Sequence, residues 1–298
     1  MLPLSVIFLL VLVPLLMLLL HLTRWKRAPQ WLMVVIGMLL VWSLVIVTYF
    51  HIPQMTSYLS WEPKLLFPLS PVLLTDQVSW TFSIALVTIG LALGLTAVAR
   101  VERSSLPYDQ QPIPEQGNVS TQIANGNWQA WAGCLLIIGM GVVSVQSGNM
   151  LTMLLSWAAI DVIELIIRLV QINGSEGKRY SILAFSIRTT GTIVLILAQI
   201  QVWQTGRISN LSSISPQSAV YLLLAAGLHL GVLPVHLPTL QEIQFRRSLG
   251  TVLDFVPLAA GLSLLVRAAA TVGIEQSIAT YALILCALTA LLGAGLWV

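Results

Sequence analysis

Apolar runs of about 20 residues recur along this chain, and they leave few folds open. Only a helix or a closed barrel can satisfy its own backbone in hydrocarbon, and a spanning helix needs roughly 20 apolar residues. Runs of that kind lie near 2–23, 31–50, 79–100, 128–147, 149–171, 180–203, 217–237, 249–270 and 277–297. The expected fold is an all-α integral membrane protein with about nine spans. Composition agrees: of 298 residues, 57% are hydrophobic and 8% charged, against about 25% charged in a soluble domain. The first run has no preceding positive segment and no small-residue cleavage site, so it reads as a retained helix.

The loops alternate in charge. Arg24, Lys26 and Arg27 follow the first run, Arg100 and Arg103 the third, Lys178 and Arg179 the fifth, and Arg246 and Arg247 the seventh. The even loops carry only Lys64 and Arg207, with Arg267 set aside at the end of the eighth run. Lys and Arg accumulate on the cytoplasmic side, which predicts an extracytoplasmic N-terminus in a plasma, inner or thylakoid-type membrane. Residues 51–78, with Pro53, Pro63, Pro68 and Pro71, then form an extracytoplasmic interfacial segment. Residues 101–127 form a polar cytoplasmic linker between three N-terminal helices, 1–100, and a larger remainder, 128–298.

The fifth run, LLSWAAIDVIELIIRLV from Leu154 to Val170, contains Asp161, Glu164 and Arg168. Their spacing of three and four puts them on one helix face, with Trp157 one turn earlier. Three central charges cost about 8–10 kcal/mol on an insertion scale, and the aliphatics of this stretch return only about 3–6. The charged stripe must therefore face other helices or water. Two readings fit: a local Glu164–Arg168 bridge that neutralises itself, or part of a proton or ion relay. A carboxylate in a low-dielectric site can exchange protons near neutral pH, and a nearby cation tunes it.

A second unusual stretch is GLHLGVLPVHLPTLQEIQFRR, Gly227 to Arg247. Pro234 and Pro238 each remove a backbone donor and free a carbonyl one turn back, so the seventh run should be broken. His229 and His236 flank Pro234. Imidazole titrates in the range a proton carrier needs, although packing or capping is the plainer role for either ring. Seven residues apart, the two cannot chelate one metal without further ligands. Arg188 in the sixth run and Asp254 in the eighth extend the pattern, so four consecutive runs each hold an ionisable group. Such a row suggests a hydrated path. Cys134 and Cys286 read as small buried hydrophobes. No Rossmann glycine pattern, cysteine cluster, haem histidine pair or basic aromatic stripe occurs, so no cofactor, metal or nucleic-acid partner is expected.

These two passages resemble the antiporter-like membrane subunits of respiratory complex I, shared with multisubunit cation/proton antiporters and membrane-bound hydrogenases. GLHLGVLPVHLPTLQEI is similar to the family's broken seventh helix, approximately K-S-A-Q-x-P-L-H-x-W-L-P. Pro234 matches its proline, His236 its histidine, and His229 falls on its central lysine. SGNMLTMLLSWAAIDVIEL is similar to the turn and fifth helix, where Trp or Phe normally precedes Glu; here Ala158 stands at the glutamate position. The resemblance is specific over residues 125–298 and rests on topology before that. It implies three N-terminal helices, a five-helix repeat with a proline-broken helix, and the start of a second repeat. It also implies a subunit of a redox-linked proton-translocating complex, with other membrane subunits and the bilayer as partners. Protons would pass Asp161, Glu164, His229 and Asp254, with Arg168 and Arg188 tuning the carboxylates. Redox chemistry of an NADH-quinone oxidoreductase type would lie in another subunit. A non-pumping structural subunit and a stand-alone small-solute or cation transporter remain as alternatives.

Overall fold

A computed structural model describes residues 2–22, 30–57, 70–104, 128–171, 175–204, 211, 216–230 and 247–272. Among them are eight helices: α1 (Leu2–Leu22), α2 (Gln30–Tyr49), α3 (Gln77–Ser104), α4 (Trp128–Val145), α5 (Met150–Gln171), α6 (Ser175–Gln204), α7 (Pro216–His229) and α8 (Arg247–Val272). Six of these, all but α4 and α7, are long and apolar enough to cross a membrane, and those two are shorter apolar helices. The protein is an all-α membrane protein in this sense. The run expected at 277–297, the linker from 105 to 127, and Pro234, His236, Pro238 and Cys286 lie outside the described residues.

Three boundaries depart from the sequence expectation. Helix α3 continues to Ser104, four residues into the expected linker. Helix α6 begins at Ser175 rather than 180, taking in Lys178 and Arg179. Helix α7 ends at His229, five residues before the proline expected to break it. The interfacial segment after α2 also holds an unexpected element. Strands β1 (Gln54–Ser57) and β2 (Val72–Thr75) pair antiparallel, with Gln54 opposite Thr75 and Ser57 opposite Val72.

This hairpin is sewn into the α4–α5 turn. Leu74 N–H donates to the Gln146 carbonyl at 2.6 Å, and Gly148 N–H donates to the Val72 carbonyl at 2.8 Å. A Cβ on Gly148 would stand 3.1 Å from Val72 Cγ1 and 3.2 Å from Leu74 Cβ, so the turn approaches the strand as closely as it does only with glycine there. Asn149 then starts α5: its Oδ1 accepts from Thr152 N–H at 2.9 Å and from the Thr152 hydroxyl at 2.7 Å. Leu211, between α6 and α7, donates to the Gly148 carbonyl at 3.2 Å. The connections after α2, α4 and α6 therefore meet at one end of the molecule, as alternating spans require.

Arg267 closes that end. It is buried, and it donates to the Ser147 carbonyl, to the Val145 carbonyl at 3.1 Å and to Asp76 Oδ1 at 3.3 Å. The two carbonyls are at the C-terminus of α4, where a cation is favoured. Asp76 caps α3, accepting from Ser79 N–H at 2.7 Å while its own N–H donates to Ser79 Oγ at 2.8 Å. One guanidinium thus ties the C-terminal part of α8 to the end of α4 and the start of α3.

Helix α4 lies at the centre of the bundle, against α1, α3, α5 and α8, and contributes Leu135, Ile137, Ile138 and Val142 to a single contiguous core. Helix α2 packs between α1 and α3, and α6 joins α5 to α7. Cys134 is buried within α4, as expected for a small apolar side chain. Removing the α8 clamp tests this arrangement. Arg267→Met should cost about 1–3 kcal/mol, because two carbonyls lose their charged donor and Asp76 its cation; denaturant-induced unfolding in mixed micelles measures it, and a loss near zero would contradict the clamp.

Candidate functional site

Asp161 lies near the middle of α5, and burial of its face follows from the spacing that placed it there. Asp161 and Glu164 are each 3% exposed, whereas Val162 and Ile166, on the outer face of the same helix, are 48% and 55% exposed. The helix therefore turns its costly groups inward and its aliphatics outward, as the transfer energies demand.

His229, the last residue of α7, is fully buried. Its Nε2 is 3.4 Å from Asp161 Oδ1. That is ion-pair range, but the two are not aligned as a hydrogen bond, and both ring nitrogens and Oδ1 have no hydrogen-bond partner among the described residues. The other carboxylate oxygen, Oδ2, accepts from the Thr192 hydroxyl of α6 at 3.3 Å. The indole of Trp157 stacks on the imidazole, with centroids 3.9 Å apart and planes inclined by 18°. Glycine at 191 makes this assembly possible. A Cβ there would lie 3.0 Å from the Ala225 carbonyl and 3.3 Å from His229 N, so α6 and α7 touch through backbone beside the histidine.

One turn along α5, Glu164 holds two cations. Arg168 Nε donates to Glu164 Oε1 at 2.7 Å, and Arg188 of α6 donates to Glu164 Oε2. Arg168 also reaches across to α8, where its Nη2 is 3.2 Å from Asp254 Oδ1. Asp161, Glu164, Arg168 and Arg188 line a small cleft together with Leu165, Ser181 and Phe185.

The structure thus brings five of the six sequence-derived residues, Asp161, Glu164, His229, Arg168 and Arg188, into one polar core. Asp254 joins it from outside: its side chain is 75% exposed and meets the cluster at Arg168. The local Glu164–Arg168 bridge is present, but Glu164 is shared with a second helix, so the bridge is not a self-contained neutral pair. Sequence reasoning put Trp157 on the charged stripe without a role, and missed Thr192 and Gly191. The run RTTGT, with three hydroxyls and a glycine inside a spanning helix, was the available signal. Among the described residues no group of three His, Cys, Asp or Glu side chains is arranged to hold a metal.

No family model matches the chain, and no curated protein matches it in sequence. Solved structures do match its fold. A chain of the membrane-bound sulfane sulfur reductase, an archaeal respiratory membrane complex, is similar with TM-score 0.63 and 15% identity, over 88% of this chain and 40% of that one. A chain of respiratory complex I from Thermus thermophilus is similar with TM-score 0.60 and 13% identity, over 92% and 54%. A chain of the Mrp complex from Dietzia sp. DQ12-45-1b is similar with TM-score 0.62 and 16% identity, over 90% and 28%. All three are membrane subunits of multisubunit complexes. At such identities the likeness establishes the fold. The chain spans between 28% and 54% of the length of these three chains. The likeness also takes in most of α1–α3, for which the sequence offered topology alone.

The close α6–α7 approach carries a prediction. Gly191→Ala should cost about 1–3 kcal/mol through overpacking against backbone, read as a lowered thermal unfolding midpoint of the purified protein. An unchanged midpoint would mean that the two helices are not held this close.

Proposed function

We propose that this chain is a membrane subunit of a redox-linked, proton-translocating complex, and that protons pass through its polar core. The observation that carries the reading is the Asp161–His229 pair, buried at the middle of a spanning helix with its nitrogen and oxygen 3.4 Å apart. The surroundings of the pair support it. Glu164 lies between Arg168 and Arg188, and Arg168 also meets the exposed Asp254, so both guanidiniums already have carboxylate partners. Asp161 Oδ1 and both ring nitrogens of His229 have no hydrogen-bond partner among the described residues, so these atoms are not committed to another bond.

The roles then divide along α5. Asp161 and His229 hold the mobile proton at the midplane. Glu164, fixed by Arg168 and Arg188, sets the local field and connects the pair to the cleft at the Arg168 end. Asp254 lies at the outer margin, where a proton enters or leaves. The charge pattern of the loops puts the Arg168 end on the cytoplasmic side and the hairpin on the opposite side. Redox chemistry belongs to partner subunits in this reading. The fold shared with respiratory and Mrp membrane complexes supports it.

The test is proton translocation by the intact complex in sealed vesicles. Asp161→Asn and His229→Ala should each lower the initial rate by about tenfold or more, as loss of a proton-transfer group does, while the complex still assembles. Wild-type rates in both variants would instead identify a structural subunit. A protein that purifies alone, without partner subunits, would identify a stand-alone transporter.

A further inference from the structure

Trp157 has no titratable group, yet it makes the closest ring contact among the described residues. It is fully buried. It precedes Asp161 by four residues, so α5 presents an indole and a carboxylate one turn apart on the same face. Both meet one imidazole: the indole covers its face at 3.9 Å, and the carboxylate stands 3.4 Å from its Nε2 edge. His229 is the last residue of its described helix.

From this geometry we infer that Trp157 is the positioning residue of the Asp161–His229 pair, acting through the face of its indole. The inference rests on the relay reading above. A histidine ring turns about χ2 with little intrinsic preference. Against a parallel indole, only two orientations keep the planes stacked, and they are related by a half-turn. One places Nε2 at Asp161; the other places a ring carbon there. The stack therefore removes the intermediate orientations in which His229 would face neither partner. It also offers a π face to the imidazolium, an attraction that gains strength away from water. What matters is the aromatic face, not the indole N–H, which has no partner among the described residues.

The experiment compares proton translocation by the intact complex carrying Trp157→Leu, Trp157→Phe, His229→Gln and the double variant Trp157→Leu/His229→Gln. Trp157→Leu should lower the rate by about tenfold, the upper range for an aromatic pair. Trp157→Phe, which keeps a stacking face, should recover most of it. The double variant should be no slower than His229→Gln, because a residue that acts through His229 has nothing further to lose. A wild-type rate in Trp157→Leu, a Phe variant as slow as the Leu variant, or multiplying losses in the double variant would each overturn the inference while leaving the relay intact. A wild-type rate in His229→Gln would overturn the relay, and this inference with it. A second measurement does not require Trp157→Leu to assemble. The fluorescence of Trp157 is the difference between wild type and Trp157→Phe, and a stacked imidazole quenches it. That difference should rise in a His229→Gln background; equal brightness with and without the ring would refute the stack.

Discussion

Glu164 is the charge on which the interior of this protein depends. A lone carboxylate there would be expensive, and so would each lone guanidinium. Shared between Arg168 of its own helix and Arg188 of α6, it satisfies both at once, and Arg168 carries the network on to Asp254 of α8. Three spanning helices are therefore held in register by one ionic chain. The Asp161–His229 pair sits one turn from this anchor.

The second fixed point is at the opposite end. Arg267 gathers the start of α3, the end of α4 and the C-terminal part of α8, and the α4–α5 turn joins the β1–β2 hairpin to Leu211, before α7. These contacts are mostly to backbone, and they leave little freedom in how α5 enters the bundle. The start of α5 is thus set by hydrogen bonds and its far half by ion pairs. Between them lie Met153, Trp157 and Ile160, all in the apolar core.

How far the sequence revealed this depended on the range of each interaction. Apolar length and charge alternation read out the spans, because both are local properties of a membrane helix. The stripe of Asp161, Glu164 and Arg168 was legible from helical spacing, and Arg188 was expected to neutralise a carboxylate of the fifth helix. The stack of Trp157 on His229 was not legible, since it joins residues far apart in sequence and depends on the close α6–α7 approach at Gly191. Arg267 passed as a helix-end cation because its acidic partner, Asp76, is 191 residues away. The hairpin was read as an irregular segment for a simpler reason: strands of four residues among prolines give no periodic signal. Asp254 was grouped with the relay by its place in a spanning run, and only the structure shows that it faces outward.

The placement of the acid along α5 has an electrical consequence. Residues 150–160 contain no ionisable side chain, and the polar side chains there, Thr152 and Ser156, are bonded within the turn or to their own helix. That stretch is about 16 Å long. On the other side of Asp161, charges begin within one turn. A transmembrane voltage drops mainly across the part of a protein that polarises least, so it concentrates between Asp161 and the hairpin. Each elementary charge moved through a full 100 mV is worth about 2.3 kcal/mol. In the relay proposed above, a proton moving between Asp161 and the Arg168 end crosses little of that stretch, and the electrical work falls on the step that carries charge past Trp157.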